Sequence, residues 1–127
     1  MAYKILIALG AEEKAEILAE LIRDNAYRLR STEAVILKED DRLPQMCQRH
    51  PEAYALVFDD SVMEILADVR RARRVYPGLT MVLVADDTKS RFLKRMEEEL
   101  SLVWIPAGIK NFHLRFVDLM RTTLTQV

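Results

Sequence analysis

The chain has 127 residues, half of them hydrophobic and 31% charged, a composition that suits one folded domain (1–127) and excludes a disordered chain. Nineteen Lys and Arg stand against 20 Asp and Glu, so the net charge of −1 excludes a whole-domain drive toward nucleic acid or an anionic membrane. A single cysteine, Cys47, excludes an internal disulfide and a multi-Cys zinc site, and His50 and His113 alone cannot build a His-rich metal centre.

The predicted elements follow in chain order. Tyr3–Leu9 (YKILIAL) is a short, β-branched apolar run closed by Gly10, a buried strand. In the next segment Ala15, Ile17, Leu18, Leu21, Ile22 and Tyr27 recur at spacings of three and four, the stripe of an amphipathic helix. Glu12, Glu13 and Glu16 favour its positive end, and Asn25 ends it. Glu33–Leu37 is a second strand, and KEDDR a polar loop. Leu43–His50 is a short helix with Pro44 in its first turn, and Ala55–Phe58 a third strand ending at Asp59-Asp60.

Ser61 and Glu64 have capping-box spacing ahead of a helix whose expected buried stripe is Val62, Ile65, Leu66, Val69, Ala72 and Val75. Its run Arg70, Arg71, Arg73 and Arg74 reads as a solvated face, and Pro77-Gly78 as the turn that stops it. Leu79–Ala85 is a fourth strand, ending at Asp86-Asp87. Thr88–Leu100 is a helix with Phe92, Leu93, Met96 and Leu100 inward; its Arg91, Lys94 and Arg95 have the spacing to pair with Glu97, Glu98 and Glu99. Ser101–Ile105 is a fifth strand, containing Trp104 as a core or interface residue, and it runs into Pro106-Ala107-Gly108. Asn111 to about Thr123 is a last helix with Phe112, Phe116, Leu119 and Met120 inward. No apolar run approaches the ~20 residues of a membrane span. The opening MAYKILIALGAEEK lacks a long apolar core and a small-residue cleavage site, so a cytoplasmic chain without a signal peptide is expected.

Five strand–helix units with nearly continuous apolar strands imply a parallel sheet covered on both faces, a doubly wound α/β sandwich of three layers. In such sheets ligands bind beyond the carboxyl ends of the strands. Those ends carry acids but no phosphate-binding glycine loop: Gly10 stands alone, a turn residue expected to need permissive dihedrals.

Five such units in about 120 residues, with an acid ending the third strand (AYALVFDDS) and a proline after the fifth (SLVWIPAG), resemble the receiver domain of bacterial response regulators. The resemblance covers essentially the whole chain and implies the strand order 2-1-3-4-5. It also implies a site. In a receiver two acids after the first strand and an aspartate ending the third hold a divalent cation, which neutralises charge as a phosphoryl group reaches that aspartate. A hydroxyl ending the fourth strand and a lysine ending the fifth then contact the phosphoryl oxygens.

On this sequence the acid pair falls on Leu9 and Gly10. The phosphoacceptor position falls on Asp60, or Asp59 if the register slips by one. The hydroxyl position falls on Ala85, the lysine position on Ile105, and the aromatic switch position on Leu102; the following Pro106 is kept. A cis peptide at Ile105-Pro106 is also implied. One of the five roles survives. Without a cation, a dianionic donor would approach Asp59, Asp60, Asp86 and Asp87, each close like-charge contact costing ~1 kcal/mol in water and more where partly buried.

The expectation is therefore a degenerate receiver, a pseudo-receiver in bacterial signalling or transcription control. It would act by protein–protein contact with a partner or an output domain, without catalysis, without a metal or cofactor, and without binding nucleic acid or membrane. The face expected to form a homodimer lies on the fourth helix, fifth strand and fifth helix: Lys94, Arg95, Glu98, Val103, Phe112, Arg115 and Asp118. Two alternatives stay open: a phosphoacceptor that borrows metal ligands from Glu39 or Asp40, and a small-ligand sensor on the same scaffold. Asp59 and Asp60 also fit a plain strand end and helix cap, and Cys47 with His50 reads as inert.

Overall fold

A computed structural model describes residues 3–38, 41–59, 66–86 and 91–126, the last segment without the side chains of Phe92 and Leu93. The elements run β1 (Lys4–Ala8), α1 (Glu12–Asp24), β2 (Glu33–Ile36), α2 (Leu43–Arg49), β3 (Ala53–Phe58), α3 (Leu66–Val75), β4 (Thr80–Val84), α4 (Arg91–Leu100), β5 (Val103–Ile105) and α5 (Phe112–Leu124). All strand pairings are parallel, in the order β2-β1-β3-β4-β5. The expected doubly wound sandwich is the one observed. No described helix is long and apolar enough to cross a membrane.

Beyond Lys4 and Thr80 at the starts of β1 and β4, the central strands are apolar because each feeds two cores. Successive side chains alternate across the sheet. Leu6, Ala8, Leu56, Phe58, Met81 and Leu83 join one cluster, with Met46, Val69, Ala72 and Met96 from α2, α3 and α4. Ile5, Ile7, Ala55, Val57 and Val82 join the other, with Leu18, Ile22, Phe116 and Met120 from α1 and α5. Each fully buried side chain of this size contributes ~1.5–3 kcal/mol, so the two layers of helices are held by the same strands.

The third strand begins earlier than its apolar run suggests. Lys4 pairs with Ala53 but Ile5 pairs with Ala55, so Tyr54 is an extra residue in β3. The resulting bulge sends Tyr54 to the α1–α5 side, where its hydroxyl lies 3.1 Å from Thr32 Oγ1 and its ring meets Tyr3 edge-on. Burial pushes the Tyr54 hydroxyl pKa up, partly offset by the Thr32 hydrogen bond.

Several expected core positions are corrected. Ile17 is 61% exposed because it lies about 200° around α1 from Ala15, on the far side from the stripe Ala15, Leu18, Ala19 and Ile22. Tyr27 is 79% exposed: α1 ends at Asp24, and Leu29 in the following loop takes the buried place. Val75, the last residue of α3, is 58% exposed at the rim of a depression between α2 and α3. The expected cap and stripe residues Ser61, Val62, Glu64 and Ile65 lie outside the described residues.

The arginine run is not uniformly solvated. Arg70 makes a two-pronged ion pair with Glu99 of α4, at 2.6 and 3.2 Å, so Glu99 pairs between helices and not within its own. Arg73 donates through Nη1 to the carbonyls of Pro77 and Leu79, pinning the turn between α3 and β4. Its Nε is buried without a hydrogen-bond partner among the described residues, and burial lowers its pKa.

Candidate functional site

The carboxyl ends of the strands bring Leu9, Gly10, Asp59, Ala85, Asp86, Ile105 and Pro106 to one end of the sheet, because all five strands run the same way. Asp60, Asp87, Thr88, Glu39 and Asp40 belong to the same loops by sequence and lie outside the described residues.

Leu9 directly follows β1 and packs, partly buried, against the apolar cluster under α1 and α5. An acid in that orientation would face hydrocarbon. Gly10 is exposed and does not adopt a positive φ, which corrects the expected need for permissive dihedrals. Its contribution is its backbone N–H, which donates to Asp59 Oδ2 at 3.1 Å. A carboxylate accepting a backbone amide is a charge-assisted hydrogen bond, and here it ties the loop after β3 to the loop after β1.

A second tie of the same kind lies on the other side of the sheet. Asp86, just past β4, accepts the Gly108 N–H through Oδ1 at 2.6 Å, joining the loops after β4 and β5. Any side chain at Gly108 would crowd this carboxylate, since a Cβ there would sit 3.3 Å from Asp86 Oδ1. Trp104 adds a third link, its Nε1–H donating to the Ala85 carbonyl at 2.9 Å. The expectation of a core or interface role for Trp104 becomes a half-buried ring with a polar tether.

Ala85 and Ile105 are both buried, each in a different apolar cluster. Their side chains offer neither hydroxyl nor ammonium. The described peptide bonds include no cis bond, so the implied cis Ile105-Pro106 linkage is not formed. The β5–α5 loop closes instead through the Asp86–Gly108 bond and an Ile109 N–H to Pro106 carbonyl bond of 3.3 Å.

The expected interaction face divides. Lys94, Arg95 and Glu98 are exposed on α4, and Val103 is exposed on the edge strand β5. Phe112 is half-buried, stacked on Phe116 with ring centroids 6.0 Å apart. Arg115 and Asp118 instead line a depression shared with Arg28 of the α1–β2 loop. Three depressions of about 300, 270 and 370 Å³ lie away from the carboxyl ends of the strands. The first contains Cys47 and His50, where burial pushes the thiol pKa up. His50 Nδ1 lies 3.2 Å from Lys4 Nζ, and Lys4 pairs with Glu52 at 2.7 Å. Sequence reasoning passed over Asp86–Gly108, Trp104–Ala85 and Arg28; the one available signal was an acid or indole flanking a strand end, which names no partner.

No family model matches the sequence, and no curated protein matches it. Solved structures do. The chain is similar to a pilus assembly protein, CpaE, from Burkholderia thailandensis, at 21% identity and a TM-score of 0.71 over 98% of this chain and 99% of that one. It is similar to the Vibrio cholerae chemotaxis protein CheY4 at 16% identity and a TM-score of 0.68, over 100% and 99% of the two chains. It is also similar to a two-component response regulator with a GGDEF domain, at 12% identity and a TM-score of 0.75, over 98% of this chain and 49% of that one. Strand order, helix placement and these similarities together make this chain a CheY-like receiver fold.

Proposed function

We propose that this chain is a pseudo-receiver: a cytoplasmic, non-enzymatic module of bacterial signal transduction or transcription control that acts by protein contact without a phosphorylation switch. The observation that carries this reading is the Gly10 N–H donating to Asp59 Oδ2 at 3.1 Å, beside Leu9 packed into the core. Where the receiver resemblance calls for two metal-binding carboxylates, this chain has an aliphatic side chain turned inward and a backbone amide that engages the aspartate from the opposite loop. Ala85 and Ile105, buried in apolar clusters, supply neither of the groups that would hold a phosphoryl oxygen. Each missing partner removes a charge-stabilising interaction on which phosphoryl transfer depends.

The exposed side chains of α4 and the free edge of β5, with Lys94, Arg95, Glu98 and Val103, form the face we assign to a second copy or an output domain. Similarity in fold to a chain twice as long, a response regulator with a GGDEF domain, supports a role beside an output domain.

The test is amide NMR of the 127-residue chain with magnesium and either acetyl phosphate or beryllofluoride. The expected result is unchanged Gly10, Asp59 and Ala85 resonances and an unchanged intact mass. A phosphoryl adduct on Asp59 or Asp60, or a magnesium-dependent shift of those amides, would overturn the proposal.

A further inference from the structure

We infer that the depression between the outer face of α5 and the α1–β2 loop is a docking site for an acidic, amphipathic helix of a protein partner. This surface is separate from the carboxyl ends of the strands, and the inference holds whether or not the chain accepts phosphate. The depression, of about 270 Å³, is lined by Arg28, Leu114, Arg115, Val117, Asp118 and Arg121. On α5 these residues recur at spacings of three, four and seven, so they form one stripe.

The stripe combines an apolar centre with unbalanced positive charge. Val117 is the buried floor, and Leu114 stands above it 52% exposed. Asp118 is already paired with Arg121 at 3.0 Å. No described carboxylate pairs with Arg28 or Arg115. Arg28 is nevertheless held in place: its Nε donates to the Tyr27 hydroxyl at 2.9 Å, and its guanidinium lies 5.6 Å from the Tyr27 ring centroid. This accounts for an aromatic ring left 79% exposed, since the ring positions a cation at the cost of its own burial.

Charge complementarity selects the occupant. A helix with leucines at i and i+4 flanked by glutamates would place hydrocarbon on Leu114 and Val117 and carboxylates on Arg28 and Arg115. A second copy using the same patch would set arginine against arginine across the two-fold axis, which opposes self-association here. Nucleic acid needs an extended basic track, whereas this depression has an aspartate within it and the chain carries a net charge of −1.

The test uses a fluorescein-labelled, alanine-based helical peptide with that Leu/Glu stripe, and a control peptide with lysine in place of each glutamate. Anisotropy should show saturable binding of the acidic peptide only, weakening as salt is raised. R28E/R115E should weaken binding about ten-fold or more, and R28Q/R115Q less, while R71E, at an exposed position of α3, should leave it within about two-fold. Circular dichroism checks that the variants fold, and amide shifts in the unmutated chain should centre on Arg28, Leu114, Arg115 and Val117. Equal binding of the lysine peptide, insensitivity to both double variants, no saturation at millimolar concentration, or displacement of the peptide by oligouridine would overturn the inference.

Discussion

The carboxyl ends of the strands and the outer face of α5 treat charge in opposite ways. At the strand ends Asp59 and Asp86 are turned onto backbone amides of neighbouring loops, and Trp104 is tethered to a carbonyl. Donors and acceptors meet inside the molecule, so this end works as a brace. On the flank, Arg28 of the α1–β2 loop and Arg115 of α5 have no described carboxylate partner, and Leu114 remains exposed beside them. Among the described residues, the loops at the strand ends are cross-linked to one another, whereas the flank presents charged and apolar side chains to solvent.

Both regions hang from one core, so the largest effect comes from removing their shared support. Phe116 is fully buried and carries α5 against the sheet. Phe116→Ala should cost about 3–5 kcal/mol, a large share of the ~5–15 kcal/mol available to a domain, and urea unfolding should show it. A change confined to the strand ends should leave the flank intact. Asp86→Ala should cost about 1 kcal/mol and speed hydrogen exchange of the Gly108 amide, while the amides from Leu114 to Arg121 keep their protection. Equal loss of protection at both places would mean that the brace and the flank are one cooperative unit.

A gain is expected at the end of α4. Ser101 has φ of 53°, and the Leu102 N–H bonds the Glu97 carbonyl at 3.0 Å, the pattern of a helix terminated by a left-handed residue. Ser101→Gly should stabilise the chain by about 0.5–1 kcal/mol, read as a raised thermal midpoint with both regions unchanged. The smallest effect concerns pH. The Lys4 ammonium holds the Glu52 carboxyl below the usual carboxylate range. Because the folded value is the lower one, this pair adds stability above the unfolded value of ~4.3 and loses it as pH falls through the folded value. Glu52→Gln should therefore flatten the pH dependence of stability on the acid side, and an unchanged slope would show that the pair contributes nothing.

The fold was legible because its signals are local and repeated. The length and β-branching of apolar runs such as ALVF and TMVLV favour buried strands, and Gly10, Asn25 and Pro77-Gly78 punctuate the elements correctly. The errors fell on the far side of a helix from its buried stripe, at Ile17, at or beyond a helix end, at Val75 and Tyr27, or where pairing inserts a residue, at Tyr54. At the strand ends only residue type was legible. Leu9, Ala85 and Ile105 announce their lack of ligands by residue type alone, and their burial follows from it.

The order and identity of side chains thus determined the layered α/β architecture and the residue types at the strand ends, since hydrophobic periodicity and functional-group content are properties of short segments. Which groups meet was decided by the tertiary structure: Asp59 with Gly10, Asp86 with Gly108, Arg70 with Glu99, and Arg28 with α5. Those pairs are separated by between 22 and nearly 90 positions in the chain, and a hydrogen bond or ion pair depends on ångström-scale approach, which parallel strands and their crossovers supply and sequence spacing does not encode.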